Sequence, residues 1–463
     1  MGESERLVVH RTSRANSMYI DRVRLPSIKP RGLDYDPRDN RVPTSPISPW
    51  MGYFNLLRSV FGAGLLGMPS ALSNAGIILG PWMSLFTGFL LIHSQKMLLN
   101  CLTEICRQLR IPHVSYRYGF RLAVLHGPPI THAIGDYGPA IVGTYVFLNQ
   151  LGICTVFVSL TSDSVRDIMD WQSNRPALFA LLFPYLLLEF FMKTLKIVSY
   201  VSLLGNMLNL VGLSLIVSQC LANLTGDLLS YKTSPMGVMV AFGIFLFNMS
   251  AVAVILAVDR ALKEPRLMLA KYGIVNVGIL IPCLISTAFG IVGYWSFGTG
   301  EENILRSLPL DEISSIGAIS LYLVAVAFAY PIQCYPAIAV VLEVIKNQPN
   351  APPTESLHLI ESVTRPTFVI LSFILCYLLP FQTPLVAFVG NMCTSMLTLV
   401  FPAFMDLCLR YPDDYGAFNY IMFKDIIIFF MGMTSQIFGV FECSYLIYTR
   451  VLEYYGPPVR VFY

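Results

Sequence analysis

Residues 59 to 80 read SVFGAGLLGMPSALSNAGIILG, with five glycines and a proline where the chain first becomes apolar enough to cross a bilayer. Glycine and proline are the poorest helix formers, yet a segment in lipid must hydrogen-bond every peptide group internally. A break is tolerated only where the freed N–H and C=O groups are buried in protein or line a cavity. Gly62, Gly64 and Gly67 do not share one helical face, and Pro69 cannot donate to the preceding turn. The stretch therefore reads first as an interrupted helix around a site. Close packing through small residues, as in GxxxG faces, is the alternative.

Of the 463 residues, 55% are apolar and 13% charged, and mean hydropathy is +0.62, far from the soluble balance. A bilayer core takes about 20 apolar residues per helix, and such runs recur from Trp50 nearly to the C-terminus. This predicts an all-α integral membrane protein with eleven spans, at 49–72, 76–102, 138–162, 177–192, 197–222, 236–258, 272–297, 315–345, 366–382, 384–408 and 425–449. Only the turn from Pro380 to Pro384 separates the ninth from the tenth, so ten or twelve spans stay open. Residues 1–48 are rich in Arg, Ser and Pro and predict a disordered cytoplasmic tail. Residues 49–450 then form the membrane domain and 451–463 a short C-terminal tail. No short apolar region with a cleavage site precedes Trp50, so the first span is expected to target the membrane itself. The Met1-Gly2 start fails as a myristoylation signal because Arg6 stands where Ser or Thr is wanted.

Lys and Arg accumulate on the cytoplasmic side of membrane proteins. With the amino terminus inside, 24 of the 31 fall there, counting Lys96 near the inner end of the second span; six fall outside and Arg58 lies within the first span. The net charge of +3 thus reports topology, not a nucleic-acid partner. Glu301, Glu302, Asp311 and Glu312 read as a solvated outer loop. The ten cysteines lie in spans or at their ends with no CxxC pair, which argues for buried thiols and against disulfides or a metal site. Asn223-Leu224-Thr225 is a glycosylation sequon on the expected outer side, close to the membrane.

Amide groups exposed at a helix break, with the positive end of the following half-helix, suit a carboxylate. The carbonyls of the preceding half-helix suit an ammonium or a cation. A zwitterion satisfies both. A symmetry-related break is expected five spans later, where GIFLFNMSAVAVILAVDRALKEP runs from Gly243 to Pro265 and Asn248 and Ser250 are the strongly polar mid-span residues. A direct substrate contact and an inter-helix hydrogen bond are equally open for Asn248. Other intramembrane polar residues are Asn149, Gln150, Asn206, Asn209, Gln333 and Glu442. Tyr330-Pro331 and Tyr335-Pro336 bracket Gln333 and are expected to kink the eighth span. His93, alone among the histidines in lying within a span, reads as a packing residue. No nucleophile and base or metal cluster converges at one depth, so neither an enzyme nor a cofactor is expected.

The segment GAGLLGMPSALSNAGIILG resembles the G-T-G-L-L-G-L-P…N-A-G-x-x-x-G signature of the amino acid/auxin permease family, and within it the proton-coupled amino acid transporters. Lys193-Thr194-Leu195-Lys196 with Ser199, Gln150-Leu151-Gly152 with Cys154, and Gly293-Tyr294, Phe297-Gly298 and Leu308-Pro309 are similar to further family segments. The resemblance covers about residues 49 to 450. It implies a LeuT-type fold of two inverted five-helix repeats, about 49–222 and 236–408, plus an extra helix at about 425–449. It implies carriage of small neutral amino acids or related zwitterions by alternating access, driven by H+, in the plasma membrane or a lysosomal or endosomal membrane. By position, the substrate carboxylate would meet Gly62, Ala63 and Gly64. Its ammonium would meet carbonyls near Val60 and Phe61 and, in the sixth span, the segment Phe247, Asn248 and Met249. The chain departs from the family where Asn55 replaces a coupling histidine, where Asn248-Met249-Ser250 replaces E-G-I, and where Val258-Asp259-Arg260 stands for L-E-N. These departures leave two alternatives to proton coupling: a non-transporting amino acid sensor, and an uncoupled or sodium-coupled carrier.

Overall fold

The computed structural model describes residues 35–41, 43, 46–192, 195–224, 233–298, 303–348 and 353–455. Outside them lie most of the expected tail, Lys193 and Thr194, Thr225 of the sequon, Glu301 and Glu302, and residues 456–463. The described residues are helices and turns, with one isolated bridge between Ile47 and Leu262.

The first span is in three pieces: α1 (Pro49–Val60), α2 (Ala63–Leu66) and α3 (Met68–Ala75). Ser48 caps α1 by accepting from the Met51 N–H at 3.4 Å, and Pro49 opens the helix, where its missing N–H costs nothing. The helix stops because Gly62 is extended, at φ −115° and ψ −153°. After α3, Gly76 takes φ +81°, a conformation natural to glycine, and the chain bends by 118° into α4 (Leu79–Leu109). Then come α5 (Tyr116–His126), α6 (His132–Ile168), α7 (Arg175–Phe191) and α8 (Leu195–Ala222). The short α5 was not expected from hydropathy; it is held by Tyr116, whose hydroxyl donates to the Leu397 carbonyl at 2.8 Å.

The second set opens in the same way. Ser234 caps α9 (Pro235–Met249) by accepting from the Gly237 N–H at 2.9 Å. Ser250 and Ala251 then leave the helix, with ψ of 131° and 28°, before α10 (Val252–Ala261) resumes the span. There follow α11 (Ile274–Phe297), α12 (Ile313–Lys346) and α13 (Thr354–Leu378). The tenth span joins α14 (Gln382–Val389) to α15 (Phe401–Leu409) through two π-turns, Gly390–Thr394 and Met396–Val400. The eleventh comprises α16 (Tyr420–Thr434), a π-turn and α17 (Val440–Tyr455). Pro331 and Pro336 both lie inside the single helix α12.

The LeuT-type expectation is met in its central feature: the first and sixth spans are broken, and the breaks meet. A Cβ on Gly64 would lie 2.8 Å from the Asn248 Cα, and one on Gly62 would lie 2.9 Å from the Phe157 ring. Gly243 and Gly390 make a second close crossing, where a Cβ on Gly390 would run into the Gly243 carbonyl oxygen. Small residues therefore serve the packing role as well as the break. Among the described residues, eight helices are long and apolar enough to cross a membrane, or nine if α3 and α4 count as one bent span. The expected eleven differ because the first span is split into pieces of 12, 4 and 8 residues and α7 has only 17, against about 20 for a full crossing.

The structure also differs from the composition-based reading of the tail. Ile47 is fully buried; its N–H donates to the Ala261 carbonyl at 2.8 Å, and its carbonyl accepts from the Lys263 N–H at 3.1 Å. Arg41 pairs with Asp259 at 2.7 Å and donates to the Pro112 carbonyl at 3.1 Å. Burial, with Arg260 and Arg41 nearby, holds His113 in the adjoining turn well below its ordinary pKa. A composition argument weighs only a segment's own apolar content and misses the surface that α10 lends it.

Candidate functional site

The two breaks enclose a cavity of about 10 Å3. Ser59, Val60, Gly62, Ala63 and Gly64 face it from the first span, Ile153 and Phe157 from α6, Phe247, Asn248 and Ser250 from the sixth, and Gln333 from α12. That volume is about one water molecule's worth, so the site must widen to admit any larger solute. No lining side chain is charged. Of the expected contacts, Phe61 and Met249 do not line the cavity; Met249 instead turns its sulfur toward Gly88 of α4.

At the first break the carbonyls freed by the end of α1 already have donors from the protein. Gln333 Nε2 donates to the Ser59 carbonyl at 3.3 Å and to Ser59 Oγ at 2.9 Å. The Gly62 N–H donates to the Val60 carbonyl at 2.8 Å. Arg58, 0% exposed, donates from Nη2 to the Phe61 carbonyl at 2.8 Å and from Nη1 to the Gly205 carbonyl of α8 at 2.9 Å. Tyr322 of α12 donates from its hydroxyl to the Gly62 carbonyl at 2.9 Å. The cation that half-helix carbonyls attract is thus a side chain of the chain itself.

At the second break the side chains are left without partners. Asn248 is 2% exposed, and neither its Oδ1 nor its Nδ2 has a hydrogen-bond partner; nor does the Ser250 hydroxyl. A buried amide in this condition costs about 1–3 kcal/mol, a cost removed by a ligand with one donor and one acceptor. Behind the cavity a chain of amides ties four spans together. Gln150 Nε2 donates to Gln333 Oε1 at 3.0 Å, Asn149 Nδ2 to Gln150 Oε1 at 3.0 Å, and Thr394 Oγ1 to Asn149 Oδ1 at 2.9 Å.

Asn55 lies outside the cavity, fully buried, and donates to Ser199 Oγ of α8 at 2.7 Å. Asn206 donates to the Phe54 carbonyl at 2.9 Å, and Asn223, at the end of α8, to the Gln219 carbonyl at 2.9 Å. His93 is exposed on α4, its Nε2 3.1 Å from Lys424 Nζ. Sequence reasoning missed Ser59, Ile153 and Phe157, which carry no signal apart from lying near the break, and it counted Arg58 only as a charge. An ionisable residue at membrane depth was the available cue. It likewise missed two buried acidic pairs, Glu189 with Arg365 and Asp425 with Lys424, because Glu189 and Asp425 fall at the ends of the expected spans.

A family model described as transmembrane amino acid transporter protein matches residues 45–444. The chain belongs to this family. Its relatives include the "Proton-coupled amino acid transporter-like protein pathetic" of Drosophila melanogaster, 25% identical over 421 residues that cover 88% of this chain and 87% of the relative. The "Probable amino acid transporter skat-1" of Caenorhabditis elegans is 21% identical over 420 residues, covering 85% and 89%. A solved structure of Mhp1, a nucleobase-cation-symport-1 family transporter in a closed conformation with bromovinylhydantoin bound, superposes with a TM-score of 0.47 at 12% identity, covering 93% of this chain and 97% of that one. The family is one of transmembrane amino acid carriers and not of enzymes, and the broken spans of this transporter give the family signature its physical content.

Proposed function

We propose that the chain carries small neutral amino acids or related zwitterions by alternating access, coupled to H+ and oriented with its amino terminus in the cytoplasm. The unpartnered amide of Asn248 at the meeting point of the two breaks carries this reading. The substrate carboxylate takes the N–H groups of Ala63 and Gly64, which open α2. Its ammonium takes Asn248 Oδ1 and the Ser250 hydroxyl in place of the Phe61 carbonyl, which Arg58 occupies. Val60 and Phe247 bound the space. The uncharged lining disfavours a charged substrate side chain, since a buried unpaired charge is costly, and Ile153 and Phe157 leave room only for a short one.

Arg58 supports H+ over Na+ as the driving ion, because a guanidinium already occupies the Phe61 carbonyl at the end of the half-helix, and the neighbouring Ser59 and Gly62 carbonyls accept from Gln333 and Tyr322. In alternating access the cavity opens by turns to either side; on the amino-terminal side α10 and the strap through Arg41 and Ile47 must part. Flux of a labelled amino acid panel into proteoliposomes, with and without a pH gradient and with Na+ replaced by a large organic cation, tests the proposal. Acid-stimulated, sodium-independent uptake of small neutral members is expected. Zero flux together with ligand-induced thermal stabilisation would overturn transport in favour of sensing, and sodium-dependent flux would overturn the coupling.

A further inference from the structure

Away from the cavity, the eleventh span buries a carboxyl group that the site described above does not use. Asp425 of α16 is 0% exposed, and neither of its oxygens accepts a well-aligned hydrogen bond. Its neighbour in sequence, Lys424, stands 2.9 Å from Oδ1 but also reaches His93 Nε2 of α4 at 3.1 Å, so its ammonium is shared. From α15 a second buried carboxyl, Asp406, packs on the same face of α4 one helical turn away: its Oδ1 is 3.7 Å from Cys101 Sγ, while Lys424, which pairs with Asp425, lies 3.9 Å from Met97 Sδ. Asp406 has its own cation, Arg410 Nε at 3.0 Å. Among the described residues, the other ionisable groups near this cluster include Lys96 on α4, Tyr116 of α5, Cys408 of α15, and Tyr411, Asp413, Asp414 and Tyr415 in the turn before α16.

We propose that the neighbouring carboxyl groups of Asp425 and Asp406 bind the coupling proton between them. This rests on the reading of the chain as a proton-coupled carrier and names the acceptor that Asn55 cannot be. Two ionised carboxylates close together in a buried site repel, and one shared proton removes the repulsion. The balance is one proton from water added to the Asp425 carboxylate. The acid O–H then reaches Asp406, which stays ionised against Arg410. On release the proton returns to water, and Asp425 depends on Lys424 alone.

The placement gives the proton a route and a lever. Asp406 packs at the level of Cys101, and Lys424 at the level of Met97 and His93, so the cluster extends about 12 Å along α4 at 1.5 Å per residue. It runs inward from the end of the bundle that carries the amino terminus. Asp406 shares the tenth span with Thr394, the last member of the amide chain that reaches Ser59 at the cavity. Intramembrane carboxyls that can gain and lose a proton are the usual elements of transporter relays.

Infrared difference spectroscopy of the purified protein on an acid step, paired with pH-dependent flux in proteoliposomes, tests the assignment. The wild-type chain is expected to gain the carbonyl band of a protonated carboxyl. Asp425→Asn is expected to lose that band and the acid stimulation of flux, and Asp425→Glu to keep both, which a purely structural role would not predict. Glu442→Gln, outside the cluster, is expected to behave as wild type. A band that persists in both Asp425→Asn and Asp406→Asn, or an unchanged acid response in these variants, overturns the proposal. A wild-type chain that shows the Asp425-dependent band but carries no amino acid would overturn the transport reading and leave the proton site standing.

Discussion

At the first break the carbonyls of Ser59, Phe61 and Gly62 accept from Gln333, Arg58 and Tyr322, whereas at the second the Asn248 amide and the Ser250 hydroxyl have no partner in the protein. Both interruptions arise from the same constraint, that a broken helix in lipid must find donors and acceptors in protein. The first finds them in the scaffold and so acts as a fixed wall. The second leaves them to whatever enters. Sequence symmetry alone would have made the two breaks equivalent.

The contrast is tested most severely at Arg58. Arg58→Ala orphans the Phe61 carbonyl, at about 1–3 kcal/mol, and empties the space of a fully buried side chain; the Gly205 carbonyl keeps its bond within α8, and the variant is expected to lower the thermal midpoint markedly and abolish flux. A variant with wild-type stability would show that the first break is not held by its guanidinium. Gly64→Ala comes next. Its methyl would meet the Asn248 backbone at 2.8 Å, and overpacking of this kind costs about 1–3 kcal/mol; the expected readout is a lower midpoint with reduced substrate affinity.

Asn248→Ala should separate the two breaks most clearly. It removes no protein hydrogen bond, so the midpoint should stay near wild type while the apparent affinity falls about tenfold, or 1.4 kcal/mol. Unchanged affinity would remove Asn248 from the site. The smallest effect is expected at the strap. Asp259→Asn weakens a partly exposed ion pair worth up to about 1 kcal/mol. It should increase labelling of a cysteine placed at Val60 by a reagent added from the amino-terminal side, with little change in stability.

Much of this molecule could be read locally. The apolar runs identified a membrane protein, the glycines and Pro69 located the first break, and five-span symmetry pointed to the sixth before Ser250 and Ala251 were seen to leave the helix. Ser48, Pro49, Ser234 and Pro235 start their helices by interactions within one turn. Hydropathy missed α5 because it is amphipathic and short, and composition left Ile47 in the tail because the surface burying that residue belongs to α10 and the turn after it.

The sequence by itself determined the membrane class, the family, the two interruptions and the polar residues Asn248, Ser250 and Gln333 beside them, since each depends on composition or on neighbours within a few residues. Only the tertiary structure decided which partners those groups have. Arg58 reaches Gly205 across 147 positions and Tyr322 reaches Gly62 across 260, and no local pattern encodes which distant donor will fill a carbonyl. The proximity of Asp406 and Asp425 has the same origin: two residues at the edges of apolar runs become a buried pair only when the tenth and eleventh spans pack against α4. Hydrogen bonds and charges act over a few ångströms, so the chemistry of both sites was fixed by how the spans pack.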